Sequence, residues 1–509
     1  MQTLPDQLLR AIRQWPNAVA ISDHVDQDAW ETFGNRVKRL ARHLLDVGVA
    51  PGDRVAVLAA NSTDYLACYF AIPWVGAITL PLNSRLSTPE MCFIVADAGA
   101  KTLITDTDFA AQAATLKEEA PELDAIVSLE AMALEDMGSE SFWTQAPEPY
   151  PIQPEDTAAL FYTGGTTGAP KGVMLSHGGL IHGAIIWAQC LKIPSEESIL
   201  IALPMFHLAA GLSAIGGVIL GARVVIEPRF DAASVLKRIE SMGISMMVFV
   251  PAVLDMLIRS PEFEQADTSS LRRISYGGAP MPAPILERAL RALPQVGFYQ
   301  IYGQTECGGM TSCLEPRYHV FEGPDAAKRN TAGKVAIGMD FKICDPEGND
   351  LPVGTPGEIV IRGPSLTSGY WQAPEKTAEL FRDGWMRTGD VGVVDDDGFL
   401  SIVDRVKDMI ISGGENIFAG EVETILYSLS EIEECAVIGV PDDRWGERVH
   451  AVIRLKEGAT LNEEQVVAHC RGRIADYKVV RSVTFIEEPL PRSPINKVLK
   501  RALREQYIA

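Results

Sequence analysis

The sequence has little of what marks several broad classes of protein. Its eight cysteines, among 509 residues, form no C-x-x-C pair, which argues against a zinc or redox site. Lys and Arg number 45 against 67 Asp and Glu, a formal net charge of −22, and no basic cluster offers a surface for nucleic acid. The N-terminal residues lack the apolar stretch of an export signal. We therefore expect a cytoplasmic protein with reduced thiols.

Long hydrophobic runs are also scarce. One segment, Leu200 to Ala222, carries no Asp, Glu, Lys or Arg over a length that could cross a bilayer. Pro204, His207 and several glycines interrupt it. We interpret it as a loop followed by a buried helix, and we expect no transmembrane segment.

The alternation of short apolar segments with helical segments predicts the fold class. Segments such as Arg54 to Leu58 and Thr102 to Thr105 read as strands with helices between them, which is typical of βαβ units and a parallel sheet. The proline-rich stretch from Pro147 to Pro154 predicts a linker into a second unit. After about Gly333, frequent turn signals predict a small β-barrel.

A glycine- and threonine-rich loop at residues 161–172 (FYTGGTTGAPKG) is the strongest local signal. Glycines let the backbone approach an anion closely, while threonine hydroxyls and a lysine add donors, so the loop predicts a polyphosphate site. It is not a Walker A loop, because no Lys-Ser or Lys-Thr follows at the required spacing. Its candidate binding residues are Thr163, Gly164, Gly165, Thr166, Thr167, Gly168 and Lys171.

This loop resembles the signature of the adenylate-forming superfamily, which contains acyl-CoA synthetases, beetle luciferases and the adenylation domains of peptide synthetases. Further segments match that superfamily in the same order along the chain. They are Pro204-Met205-Phe206-His207, Gly277-Gly278-Ala279-Pro280, Tyr302-Gly303-Gln304-Thr305-Glu306, Thr388-Gly389-Asp390, Asp404-Arg405-Val406-Lys407-Asp408, Ser412-Gly413-Gly414-Glu415-Asn416 and Pro494-Ile495-Asn496-Lys497.

The resemblance implies a nucleotide site. Glu306 would bind Mg²⁺ with Thr305 beside it on the phosphates, although a solvated helix cap is the alternative for Glu306. Asp390 would accept hydrogen bonds from the ribose hydroxyls and Arg405 would be the second ribose contact, with a turn residue as the alternative for Asp390. The adenine slot would be formed by Gly277, Gly278, Ala279, Pro280 and Tyr302, next to Gly303.

Two further residues carry catalytic roles in the resemblance. His207 matches an active-site histidine or aromatic gate, with a buried structural histidine as the alternative. Lys497 would stabilise the charge that builds as the substrate carboxylate attacks the α-phosphate. The chain departs from the superfamily at Asn496, where glycine is usual, and at Gly164, where serine is common.

The resemblance also implies α/β architecture with a moving part. We expect a large N-terminal domain of parallel α/β sheets plus a small β-barrel (1–404), a hinge (405–407) centred on Lys407, and a small mobile α+β C-terminal domain (408–509). Gly413 and Gly414 would make room for the pantetheine arm of coenzyme A. Trp445 is a weaker candidate for the coenzyme A end, with a packing role as the alternative.

The activity that the resemblance implies is an ATP- and Mg²⁺-dependent acid:CoA ligase, with coenzyme A as co-substrate and a fatty or other hydrophobic carboxylic acid as small-molecule partner. The acyl chain would lie where Gly211, Gly308 and Gly309 leave space. The alternatives are an adenylating enzyme that loads a separate carrier protein, and a nucleotide-binding protein without ligase activity. Oligomeric state stays open, with a homodimer as one option.

Overall fold

A computed structural model describes the chain apart from residues 1, 24–26, 131–146, 164–169, 196, 280, 406–407, 413–414, 443–444, 493–497 and 508–509, and apart from the side chains of 415 and 416. The described residues fall into two compact units. The first unit comprises those within 1–163, 170–340 and 362–381, and the second those within 341–361 and 382–509. The expected boundary near residue 405 lies inside the second unit and stays a prediction.

The strands, in chain order, are β1 (Val19–Ser22), β2 (Gln27–Ala29), β3 (Arg54–Leu58), β4 (Ile78–Pro81), β5 (Thr102–Thr105), β6 (Ala125–Ser128), β7 (Thr157–Thr163), β8 (Lys171–Ser176), β9 (Ser198–Ile201), β10 (Arg223–Ile226), β11 (Met246–Phe249), β12 (Arg273–Gly277), β13 (Gly297–Tyr302), β14 (Ser312–Leu314), β15 (Lys334–Val335), β16 (Asp340–Cys344), β17 (Gly357–Arg362), β18 (Gly369–Tyr370), β19 (Phe381–Arg382), β20 (Trp385–Val394), β21 (Leu400–Arg405), β22 (Ile410–Ser412), β23 (Glu415–Ile417), β24 (Ile432–Asp442), β25 (Gly446–Leu455) and β26 (Ser482–Ile486). The helices are α1 (Leu4–Gln14), α2 (Trp30–Asp46), α3 (Thr63–Trp74), α4 (Thr88–Ala98), α5 (Ala110–Glu119), α6 (His177–Cys190), α7 (Leu208–Leu220), α8 (Ala232–Met242), α9 (Pro251–Ile258), α10 (Ala283–Ala292), α11 (Pro374–Leu380), α12 (Ala419–Leu426), α13 (Glu463–Cys470) and α14 (Lys500–Tyr507).

The first unit is built on two largely parallel sheets, as counted over its described residues. One has seven strands in the order β18-β8-β7-β4-β3-β5-β6, and the other has nine in the order β15-β14-β13-β12-β11-β9-β10-β1-β2. Strands such as β3 are buried at almost every position, because helices cover both faces of a parallel sheet. The βαβ prediction is therefore confirmed.

Helices α1, α3, α6 and α7 pack among themselves in the first unit. Helix α7 is almost entirely buried and follows the loop after β9, as the sequence predicts for this segment. No described helix combines the length and the apolar character needed to cross a bilayer.

The linker prediction for residues 147–154 is wrong. Strand β7, which follows this stretch, pairs in parallel with β4 of the same seven-stranded sheet. Tyr150 in the stretch donates its backbone N–H to the carbonyl of Trp74, so the segment lies against α3. The prolines interrupt regular secondary structure here, but the chain stays within the first unit, because an extended proline-rich segment can run along a packed surface.

The second unit holds two sheets in its described residues. One contains β16, β17, β19, β20 and β21, and the other contains β22, β23, β24, β25 and β26. The turn after β20 is a hairpin turn, since Asp395 accepts from the backbone N–H groups of Asp397 and Phe399. The described pairings establish a sheet for β16–β21, and its closure into a barrel stays a prediction.

A buried histidine joins the N-terminal helix to the seven-stranded side of the first unit. His177, at the start of α6, is 1% exposed, and its Nδ1 accepts from the backbone N–H of Leu4 at 3.3 Å. Burial lowers the pKa of His177 from 6.5 to about 4. The imidazole is therefore neutral in the folded protein at neutral pH.

We predict that His177 makes the protein less stable in acid. Between pH 6.5 and 4 the unfolded chain binds a proton that the folded chain does not, so the free energy of unfolding falls as pH falls, by about 3 kcal/mol in all. His177→Asn should flatten the decline of the thermal midpoint over this range, and His182→Asn, at an exposed position of the same helix, should not. Identical slopes for both variants and the parent would contradict the assignment.

Candidate functional site

Three of the sequence motifs follow the carboxyl ends of strands in the nine-stranded sheet. Pro204–His207 follows β9, Gly277–Ala279 follows β12, and Tyr302–Glu306 follows β13. Strands β9, β11, β12 and β13 are parallel neighbours, so these motifs meet at one edge of the sheet. Ligands of doubly wound sheets bind at this edge.

The loop that carries His207 is held in place by hydrogen bonds from two side chains, one just before α3 and one within it. Asn61 donates to the carbonyl of Leu203 at 2.8 Å and accepts from the backbone N–H of Met205 at 2.8 Å. Tyr69 donates to the carbonyl of Met205 at 2.6 Å. Neither residue was predicted, because each lies more than a hundred positions from the loop that it holds.

His207 is partly buried at the start of α7. Its ring packs edge to face against that of Phe206, with 4.5 Å between the ring centroids. Burial lowers the pKa of His207 to about 4, and the charge of Arg85 adds to this effect. The side chain is thus a neutral ring at physiological pH, which suits an aromatic gate better than an acid catalyst. The catalytic role of His207 stays a prediction.

Glu306 lies in the short 3₁₀ helix Thr305–Cys307 and is only 9% exposed. Its Oε1 accepts from the hydroxyl of Tyr370 at 3.1 Å. The alternative of a solvated helix cap is therefore wrong. Gly308, directly after the helix, has a φ of +66°, and a side chain there would overlap the carbonyl of Ser365.

Thr367 joins the backbone of Glu306 to that of β8. Its N–H donates to the carbonyl of Glu306 at 2.9 Å, and its hydroxyl donates to the carbonyl of Met174 at 2.7 Å. The side chain is 3% exposed. Thr367 thus fixes the distance between the glutamate segment and the strand that begins with Lys171.

Lys171 and Thr163 face each other across the β7–β8 pair, at the two ends of the glycine-rich loop. The Nζ atom of Lys171 lies 4.7 Å from the ring centre of Tyr370, within range of a cation–π interaction. Gly164, Gly165, Thr166, Thr167 and Gly168 lie outside the described residues.

Tyr370 therefore touches both Lys171 and Glu306, and sequence reasoning missed it. It lies on β18, which pairs with β8, and its backbone N–H donates to the hydroxyl of Thr377 at 2.9 Å. Burial and the charge of Glu306 raise the pKa of Tyr370, so its hydroxyl stays a donor. A lone tyrosine 64 positions from its partner gives no local signal in the sequence.

The predicted adenine slot lies at the ends of β12 and β13. Gly277 is opposite Ile301 in the β12–β13 ladder, so the two strands end side by side, β12 just before Gly278 and β13 at Tyr302. Gly278 and Ala279 are exposed, and Gly303 packs so closely against Gly309 that no side chain would fit. The exposed backbone at these positions is accessible to a flat ring such as adenine. Pro280 lies outside the described residues.

Asp390 and Arg405 form a pair in the second unit. They are opposite each other in the β20–β21 ladder, and Arg405 Nε lies 2.8 Å from Asp390 Oδ1. Asp390 is 4% exposed and lies inside β20, so the alternative of a turn residue is wrong. A carboxylate has several lone pairs, so Asp390 can accept hydrogen bonds from two vicinal hydroxyls, as the ribose role requires.

The remaining candidates belong to the end of the second unit. Trp445 is 41% exposed and directly precedes Gly446, which pairs with Ser412 at the start of the Gly413–Gly414 segment. Trp445 is thus not a packed core residue. Gly413, Gly414, the hinge residue Lys407, and Lys497 with Asn496 lie outside the described residues, so their roles stay predictions.

The described residues hold no group of three metal-ligating side chains. Mg²⁺ in nucleotide sites usually takes one or two carboxylates and completes its shell with phosphate oxygens and water. Glu306 fits this pattern, because the described residues give its Oε2 no hydrogen-bond partner while Oε1 is held by Tyr370. The donor set therefore suits a nucleotide-borne ion.

The expectation that glycines leave a deep acyl pocket is wrong in its simplest form. A side chain at Gly211 would approach the Tyr69 hydroxyl to 2.8 Å, and one at Gly309 would approach Leu212 to 2.6 Å. At Gly308 it would overlap Ser365. These glycines serve close packing between neighbouring segments, because the position that a side chain would take at each of them is already occupied.

Comparisons with known proteins agree with this geometry. Residues 8–371 match the AMP-binding enzyme family, and residues 421–497 match the AMP-binding enzyme C-terminal domain. The chain is 39% identical over 501 residues to a feruloyl-CoA synthase of an Amycolatopsis species, covering 98% of each protein. It is 35% identical to a long-chain-fatty-acid–CoA ligase of Mycobacterium tuberculosis, over 92% of this chain and 91% of that protein.

The fold is similar to that of O-succinylbenzoate coenzyme A synthetase from Bacillus subtilis, solved with ATP and magnesium ion. The two chains superpose with a TM-score of 0.84 at 31% identity, and 98% of each is covered. These matches confirm the resemblance and the α/β fold class that the motifs predict. The chain belongs to the AMP-binding enzyme family, within the adenylate-forming superfamily.

Proposed function

We propose that this enzyme is an AMP-forming acid:CoA ligase that uses ATP, Mg²⁺ and coenzyme A. The similarity to CoA ligases over nearly the whole chain carries this proposal. The arrangement of Lys171, Tyr370 and Glu306 supports it, because it gathers a cation and a buried carboxylate at the strand ends of the first unit. The cytoplasm is the proposed compartment, since all eight cysteines, each of them described, are free thiols.

The first half-reaction joins two anions. A carboxylate oxygen of the acid attacks the α-phosphorus of ATP, the bond to the β-phosphate oxygen breaks, and pyrophosphate leaves with its electron pair. Lys171 would hold the phosphates, and Asp390 with Arg405 would orient the ribose. Lys497 would stabilise the negative charge that builds at the α-phosphate.

Magnesium would reach the site with the nucleotide and neutralise charge on the phosphates. Glu306 would hold it through Oε2, with Thr305 adjacent. This chain's own contribution is to keep the carboxylate oriented and sheltered from water, which Tyr370 and Thr367 support through their hydrogen bonds.

The second half-reaction transfers the acyl group. The thiol sulfur of coenzyme A attacks the acyl carbonyl carbon, the carbon–oxygen bond to AMP breaks, and the thiol proton passes to water. Gly413 and Gly414 would leave room for the thiol arm, and Trp445 would contact the coenzyme A end.

For the acid, we propose a compact hydrophobic molecule such as an aryl acid with a short side chain. The packing around Gly211, Gly308 and Gly309 supports this choice over a long aliphatic chain. Trp187 and Met310, both nearly buried, contribute apolar surface to the same region.

The direct test is pyrophosphate release across short, medium, long-chain, aromatic and polycyclic acids, each with and without coenzyme A. We expect turnover that requires coenzyme A, with kcat/KM for aryl acids at least about tenfold above that for long-chain acids. Turnover indifferent to coenzyme A would favour a carrier protein as acceptor. Nucleotide binding without pyrophosphate release from any acid would overturn the ligase assignment.

Lys497→Ala should separate the two half-reactions. We expect adenylate formation to fall by about 100-fold or more, because a cation aimed at the developing charge is lost. Thioester formation from supplied acyl-adenylate should stay within about twofold of the parent, since Lys497 acts only in the first step. Lys456→Ala, at an exposed position, is the matched control. Equal losses in both half-reactions would show that the roles are not divided in this way.

Lys407→Pro tests the hinge. Asp408, directly after this position, is held to the C-terminal helix by its pair with Arg504 at 3.0 Å. Asp404, before it, accepts from the backbone N–H of Gly420 at 3.2 Å, and a rotation at 407 would have to break this bond. The rotation itself would need a change of φ at the hinge, which proline fixes.

We expect the proline variant to lose more of the second half-reaction than of the first, measured separately with acyl-adenylate and with acid plus ATP. Lys407→Ala removes the same side chain but leaves φ free, so it should behave like the parent. A proline variant as active as the parent in thioester formation counts against a rotating domain.

A further inference from the structure

We propose that Tyr370 is a positioning residue that sets the magnesium affinity of the nucleotide site, through the hydrogen bond from its hydroxyl to Glu306. This inference rests on the proposed function only in that ATP and Mg²⁺ bind at Glu306.

The geometry gives the hydroxyl a specific task. Its donation to Glu306 Oε1 at 3.1 Å occupies one carboxylate oxygen and leaves Oε2 for another partner. Without the donor, the carboxylate of Glu306 would be free to rotate and would lose its described side-chain hydrogen bond while only 9% exposed. Donors that orient a metal-binding carboxylate typically change metal affinity by about 10- to 100-fold.

The ring of Tyr370 has a second and separable task. Lys171 Nζ lies 4.7 Å from the ring centre, so the ring holds the lysine cation near the start of β8. One side chain thus positions both a cation and a carboxylate. The hydroxyl would act on Mg²⁺ through Glu306, and the ring would act on the phosphates through Lys171.

The backbone of Tyr370 is fixed by two contacts. Its strand pairs with β8, and its N–H donates to the hydroxyl of Thr377. Its partner Glu306 is held separately, by the backbone hydrogen bond from Thr367. The phenol therefore has little freedom to serve any other partner. A buried tyrosine hydroxyl needs a hydrogen-bond partner even in a purely structural role, so the Mg²⁺ requirement is the readout that separates the two roles.

The test is the Mg²⁺ concentration at which ATP half-maximally stabilises the protein against thermal unfolding, which needs no turnover. Tyr370→Phe keeps the ring and removes the hydroxyl, so we expect about a tenfold higher Mg²⁺ requirement with unchanged stabilisation by ATP alone. Tyr370→Leu also removes the ring, so stabilisation by ATP without Mg²⁺ should weaken as well.

Tyr427→Phe is the matched control. Tyr427 also donates its hydroxyl, to the backbone carbonyl of Cys435 at 3.2 Å, and it belongs to none of the candidate site motifs. This variant should lose stability without a change in Mg²⁺ requirement.

An unchanged Mg²⁺ requirement in Tyr370→Phe, or an equal rise in Tyr427→Phe, would overturn the inference. A parent protein that ATP and Mg²⁺ fail to stabilise would overturn it too. If the parent binds both but releases no pyrophosphate with any acid, the ligase assignment fails while the Tyr370 result still decides this inference.

Discussion

The hydrogen bonds of Thr367 are the constraint on which the first unit's site depends. They tie the backbone at Glu306, which follows the nine-stranded sheet, to Met174 in the seven-stranded sheet. A carboxylate and a lysine from different sheets are thereby held at a fixed separation, and Tyr370 fills that space. Without these hydrogen bonds, Glu306 and Lys171 would still follow their own sheets, but Tyr370 would not be held in contact with both.

Electrostatics explains why such an arrangement is needed. A chain with a net charge of −22 has to bind ATP and a carboxylate, which are both anions. Its overall field opposes this binding, so attraction has to come from local cations and from backbone N–H groups at strand and loop ends. Lys171 and Arg405 are held by Tyr370 and Asp390 respectively, so these cations are ordered before a ligand arrives.

Much of the fold could be predicted from the sequence, because buried parallel strands such as β3 and β5 are short, largely apolar segments separated by helical ones. The roles of Asp390 and Glu306 came from the resemblance, and the structure removed the turn alternative for Asp390 and the helix-cap alternative for Glu306. The contacts of Tyr370, Thr367 and Asn61 could not be predicted. They join residues far apart in the chain, and no local pattern encodes such a pairing.

Two sequence interpretations failed for related reasons. Prolines at 147–154 and glycines at 211, 308 and 309 were interpreted through their local properties, as a linker and as empty space. In the structure the 147–154 stretch lies against α3 and the glycines serve close packing, and both outcomes depend on what lies opposite them. Composition therefore identifies where the backbone is unusual, and the fold decides what the unusual backbone is used for.

The central claim is that this chain activates a carboxylate by joining it to AMP. Exchange of labelled pyrophosphate into ATP, measured without coenzyme A, tests that step alone. The account predicts exchange that requires both an acid and Mg²⁺ and that disappears in Glu306→Gln. Exchange that proceeds without any acid, or an absence of exchange with every acid class while ATP still binds, would contradict it.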